Sequence, residues 1–126
     1  MAVQRKKVKS FRDLEVWKLG MDIVVDIYRL TKKFPKEELY GIVGQMRRAA
    51  VSIPSNISEG FNRLSNKEYR QFLSISLGSC GELETQVEAS FRLGYLIQQE
   101  RDKMLEKLDH ESRMLRNLIK ALSVKG

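Results

Sequence analysis

Residues 98–123 read QQERDKMLEKLDHESRMLRNLIKALS, and this stretch decides the fold class. Turned through 100° per residue, Met104, Leu105, Leu108, Leu115, Leu118, Ile119 and Leu122 fall on one face, with mixed charge opposite. That pattern is an amphipathic helix, whose apolar face has to be buried against other elements. His110, the one histidine, falls on the polar side, where it reads as a solvated side chain rather than a ligand or a base.

Three more helical stretches precede it, running about from Asp13 to Lys33, from Glu37 to Asn62 and from Ser65 to Leu93. The breaks between them have mechanisms. Phe34-Pro35 ends the first, because the residue before proline is pushed out of the α region. Ser65 and Glu68 have the spacing of a capping box, and Gly94 suits the left-handed position after the third stretch. Short connections between helices of roughly 30–45 Å favour antiparallel neighbours. Two prolines and eight glycines leave too little punctuation for an all-β chain. The expected fold is therefore all-α: an antiparallel up-down four-helix bundle over residues 13–126, behind a short basic N-terminal tail over residues 1–12.

The charge is unevenly placed. Arg5, Lys6, Lys7, Lys9 and Arg12 carry five of the seven net positive charges, and no acid precedes Asp13. The tail is thus the basic part, either a solubilising terminus or an arm for phosphate backbones. No apolar stretch follows MAVQRKKVKS, so it does not read as a secretory signal, and no run approaches the roughly 20 apolar residues of a membrane span. The single cysteine, Cys80, allows no internal disulfide, so a reducing, cytoplasmic setting is expected.

The third stretch places Tyr69, Phe72, Leu73, Leu83, Val87 and Phe91 on a stripe with Ser76 and Cys80; there Cys80 reads as a small buried hydrophobe. The first stretch has two apolar stripes. Leu14, Trp17, Met21, Val24 and Tyr28 form one, and Val16, Leu19, Ile23, Ile27 and Leu30 the other, roughly 140° away. A bundle helix needs one, so the surplus points to self-association ahead of a deeply inserted helix that both stripes help to bury within one chain. The second stretch has an apolar face of Leu39, Ile42, Val43, Met46, Ala49, Ala50, Ile53 and Ile57. Beside it runs a polar row, Gln45, Arg48, Ser52, Asn56 and Glu59, around the internal Pro54. Pro54 removes a donor from the Ala50 carbonyl and should kink the helix, and the row reads as a structural hydrogen-bonded network ahead of a recognition strip. Nothing reads as catalytic: there is no phosphate loop, HExxH, CxxC or EF-hand pattern, and Glu82, Glu84 and Glu88 are not paired by spacing. No cofactor, metal site or enzymatic activity is expected.

The blocks FRDLEVWKLG (11–20), FPKEELYGIVGQMRRAAVSIPSNISEG (34–60), NKEYRQFLSISLGSCGELETQ (66–86) and LGYL (93–96) resemble the bacterial 23S rRNA intervening-sequence protein family, also called four helix bundle proteins. The resemblance covers the chain from Phe11 onward. It implies an antiparallel four-helix bundle, fivefold rings and no enzymatic activity. It also implies a distant likeness in fold to the basic, pentameric accessory protein of diversity-generating retroelements, which binds nucleic acid and a reverse transcriptase. The near-neutral body of this chain departs from that basic pattern.

Two functions compete. One is nucleic-acid binding, RNA foremost, by a homo-oligomer with a pentamer favoured. The binding residues would be Arg5, Lys6, Lys7, Lys9 and Arg12, joined by Arg113, Arg116 and Lys120 near the end of the fourth helix. These last also suit the negative end of the helix dipole. Without interleaved aromatics, binding would be blind to sequence. The other is a scaffold docking on a reverse transcriptase or ribosomal component.

Overall fold

The computed structural model describes residues 8–123. Four helices carry the fold: α1 (Glu15–Thr31), α2 (Ile42–Phe61), α3 (Asn66–Arg92) and α4 (Gln98–Ser123). Short 3-10 turns at Phe11–Asp13 and Lys36–Glu38 precede α1 and α2.

Side-chain contacts fix the topology. Arg47 of α2 stands over Tyr28 near the end of α1, while Gly20 near its start faces Ile53 and Pro54, so α1 and α2 are antiparallel. Ser76 and Ser90 of α3 reach Ile53 and Met46 in turn, which reverses α3 against α2. Arg101 pairs with Glu88, and Arg70 reaches Leu122, which reverses α4 against α3. Lys107 pairs with Asp26 and Lys33 with Glu100, closing α4 onto α1. The result is the antiparallel up-down four-helix bundle expected from the helical periodicities.

The core is filled from all four helices by Ile23, Ile27, Met46, Ile53, Ile57, Leu73, Leu83, Leu108 and Leu115, each fully buried. Truncating one such leucine to alanine costs about 2–5 kcal/mol. Ser76 and Cys80 are as buried as the leucines around them. Of the two stripes on α1, Val16, Ile23 and Ile27 enter the core. Of the other, Leu14 is buried in the core and Trp17 and Val24 pack against it, while Met21 and Tyr28 stay 38% and 39% exposed, beside Val25 at 42%.

Three local expectations change. The helical stretch expected from Asp13 breaks at Leu14, which is extended because Ser10 and Asp13 cap the preceding 3-10 turn in a full capping box. The second helix starts at Ile42 rather than Glu37. Leu39 therefore precedes its first turn and is 44% exposed instead of joining the core face. At α3 the Ser65 hydroxyl accepts from the Glu68 amide at 3.2 Å, but Glu68 turns its carboxylate towards Arg63. Gly94 is left-handed, at φ +84°, as its position demands.

Candidate nucleic-acid interface

The topology puts the start of α1, the end of α2, the start of α3 and the end of α4 at one end of the bundle. Arg70 stitches two of them together, its guanidinium donating to the Leu122 carbonyl at 2.8 Å. Such a donor offsets the unpaired carbonyls of a helix C-terminus.

Cations collect at this end. Lys9 and Arg12 are exposed on the segment that leads into α1. Val8 and Phe11 hold this segment against the core, with Phe11 5.4 Å from the Trp17 ring. Arg12 stands 4.7 Å over the Phe11 ring. Asp13, the acid next to Arg12 in the chain, is engaged by the backbone amides of Lys9 and Ser10 at 3.1 and 3.2 Å. Arg116 and Lys120 are exposed and form no ion pair among the described residues. Arg113 is also exposed but spends its charge on Asp109 at 3.1 Å. Arg5, Lys6 and Lys7 lie outside the described residues.

The fold adds Arg63, Lys67 and Arg70 to the same end, beyond the cations that the sequence singles out. Lys67 is exposed, while Arg63 is held by Glu59 at 2.6 Å and lies 4.7 Å over the Phe72 ring. The sequence signal is three basic residues within Asn62–Arg70, spread over a helix break and the first turns of α3.

The polar row on α2 divides. Asn56 Nδ2 donates to the carbonyl and the hydroxyl of Ser52, both at 2.9 Å, and Ser79 from α3 meets the Ser52 hydroxyl at 2.8 Å. Ser76 adds a bond to the Ile53 carbonyl at 2.8 Å. These four residues tie α2 to α3 beside Pro54, through which the helix runs without a break. Gln45 and Arg48 are exposed and outside this network, and Glu59 serves Arg63.

Deeper in the bundle, Glu111 is fully buried and neither carboxylate oxygen has a hydrogen-bond partner among the described residues. Burial pushes its carboxyl up to about 8. Its position three residues after Leu108 and four before Leu115 puts it on the apolar stripe of α4. Cys80 lies near it. Burial, opposed in part by the Ser112 hydroxyl and reinforced by Glu111, pushes the thiol up to about 12. A thiol so protonated is a poor nucleophile. No group of three or more His, Cys, Asp or Glu side chains is placed to hold a metal ion among the described residues, and no helix there is long and apolar enough to cross a membrane.

Fold and surface define an all-α bundle with a basic end and a core threaded by serine hydroxyls. The model of the family described as 23S rRNA-intervening sequence protein matches residues 12–117, and the chain belongs to that family. In fold it is similar to a protein of unknown function from the S23 ribosomal protein family of Bacteroides thetaiotaomicron. The TM-score is 0.78 at 23% identity, over 83% of this chain and 98% of that one. No curated protein matches.

Proposed function

We propose that the chain is a non-enzymatic, self-associating protein that binds nucleic-acid backbones, RNA foremost, through the basic end of its bundle. The observation that carries this reading is that five exposed cations without ion pairs among the described residues, Lys9, Arg12, Lys67, Arg116 and Lys120, come from three separate parts of the chain to one end. Arg5, Lys6 and Lys7 precede Lys9 in the sequence and extend the same charge. Clustered cations displace condensed counterions from phosphates, which gives affinity without sequence preference. Self-association through the outer face of α1 would multiply the contacts, because linked sites bind as one.

Salt-dependent binding of a labelled single-stranded RNA, compared between the native chain and a Lys67→Ala/Arg116→Ala/Lys120→Ala variant, tests the reading. The variant should bind more weakly and with a shallower salt slope. Equal slopes would remove the helical end from the interface.

A second reading has its own support. The exposed Met21, Val25 and Tyr28 offer an apolar face to a protein, such as a reverse transcriptase or a ribosomal component. Loss of a co-purifying protein partner on Val25→Glu, with RNA binding absent throughout, would favour it.

A further inference from the structure

A cleft of about 380 Å³ lies at the opposite end, between the end of α1, the connection through Lys36 and Leu39, and the start of α2. Its floor is apolar and buried, made by Phe34 and Val43, and the half-exposed Leu39 forms a wall. Lys32, Lys36 and Arg47 stand around it, and no carboxylate lines it.

Arg47 is held in place. Its Nε donates to the Thr31 hydroxyl at 3.0 Å, and its guanidinium lies 4.5 Å over the Tyr28 ring. Thr31 is in turn fixed by donating to the Ile27 carbonyl at 2.6 Å. The two terminal nitrogens of Arg47 have no hydrogen-bond or ion-pair partner among the described residues. Three acids of the neighbouring elements are committed elsewhere: Glu38 accepts from the Tyr95 hydroxyl at 2.8 Å, Asp26 pairs with Lys107, and Glu100 pairs with Lys33; Glu37, beside Lys36, is exposed and does not line the cleft. A rigid guanidinium with free donors, flanked by two amines, is preorganised for an oxyanion that accepts from several donors at once.

The shape narrows the ligand. The volume lies within the range of small-molecule sites. The cleft's rim has no strand edge to pair an extended peptide. Three cations beside a buried apolar floor suit a phosphate ester joined to a flat, weakly polar ring. We propose that this cleft binds a nucleotide, with the phosphate on Lys32, Lys36 and Arg47 and the base on the Phe34–Val43 floor. The nucleotide is either a free mononucleotide or one unit of a single strand. This site is separate from the basic end and does not depend on it.

The test uses the intact chain, with calorimetric titration of adenosine and uridine monophosphates, adenosine and inorganic phosphate, and anisotropy of a labelled single-stranded RNA. Monophosphates should bind at least about tenfold more tightly than adenosine or phosphate alone, since both halves of the cleft are then used. Lys32→Ala/Lys36→Ala, at exposed positions, should weaken this at least about tenfold without changing the melting temperature. Arg47→Lys should also weaken it, because the amine keeps the charge but loses the planar fork. If the double variant weakens RNA binding too, the ligand is a unit of the strand; if RNA binding is unaffected, it is a free nucleotide. No measurable binding of any monophosphate would overturn the proposal. So would inorganic phosphate matching the monophosphates, or polyglutamate displacing them at equal charge, which would make the cleft a plain anion or acidic-peptide site. A loss of RNA binding confined to Lys9→Ala/Arg12→Ala, with monophosphates inert, would leave the basic end standing and remove the cleft.

Discussion

A Cβ built on Gly20 of α1 would stand 3.1 Å from Oε2 of Glu111 on α4. The same atom would meet Ile53 at 3.4 Å and Pro54 at 3.5 Å on α2. The missing side chain is therefore what lets a carboxyl lie among three helices. Replacing Glu111 by methionine keeps the length and flexibility of the side chain and removes two oxygens without partners. The expected gain at pH 7 is about 1–3 kcal/mol of unfolding free energy, read from urea denaturation. A loss of stability would mean that Glu111 has a partner in solution.

The same carboxyl sets a pH dependence. Its folded value of about 8 lies above the ordinary 4.5. Between those values the folded state keeps a proton that the unfolded state has released. Unfolding free energy should therefore fall as pH rises from about 4.5 to 8, with a slope approaching about 1.4 kcal/mol per unit from this group. Above that window its contribution is flat. Glu88 and Glu100, held low by hydrogen bonds from Arg92 and Lys33, act at the acid end: what they contribute is fully present above the ordinary carboxylate value of 4.5 and is lost as pH falls below it. Glu111→Met should abolish the slope, and urea midpoints at pH 5, 6.5 and 8 would show it. A slope that survives the substitution would assign it to another group.

Asn56 and Gln45 sit on one row of α2 but should behave differently. Asn56→Ala breaks both bonds to Ser52 in a half-buried site and should cost about 1–2 kcal/mol. Gln45→Ala, at an exposed position, should stay within about 0.5 kcal/mol. Equal melting temperatures for the two variants would contradict a structural role for the network.

How much of this was legible in the sequence depends on which interaction decided each feature. Helix α4 was readable because one apolar stripe governs its whole length, and its ends fall at Gln98 and Ser123 as the pattern placed them. The start of α2 was not, because Leu39 continues a helical spacing while the chain around it turns through a 3-10 segment. Ser52 and Asn56 were found by spacing, yet their partner Ser79 lies on another helix, which no local pattern reveals. The bases at Arg63, Lys67 and Arg70 became part of an interface only when folding brought them beside the end of α4. Arg47 was likewise visible only as one of two adjacent arginines until Thr31 and Tyr28 fixed it.

Self-association has its own test in Met21 and Val25, which project from α1 at 38% and 42% exposure. Light scattering of the native chain should give a discrete oligomer, with a pentamer favoured, at micromolar concentration. Met21→Glu/Val25→Glu should shift it towards monomer while the helical circular dichroism is retained, since neither side chain is in the core. A native chain that stays monomeric across the range would remove this part of the proposal.

Backbone binding by the basic end is open to fluorescence anisotropy of a labelled single-stranded RNA across a salt series. The native chain should bind with a log–log salt slope of about −0.7 for each phosphate neutralised, and with little change between RNA sequences. Deleting residues 1–9 removes Arg5, Lys6, Lys7 and Lys9, and should flatten that slope by up to about 3 units per engaged segment. Adding Lys67→Ala, Arg116→Ala and Lys120→Ala should take most of the remainder. No binding by the native chain at low salt, or a slope untouched by both changes, would mean that the basic end is not a phosphate-backbone site.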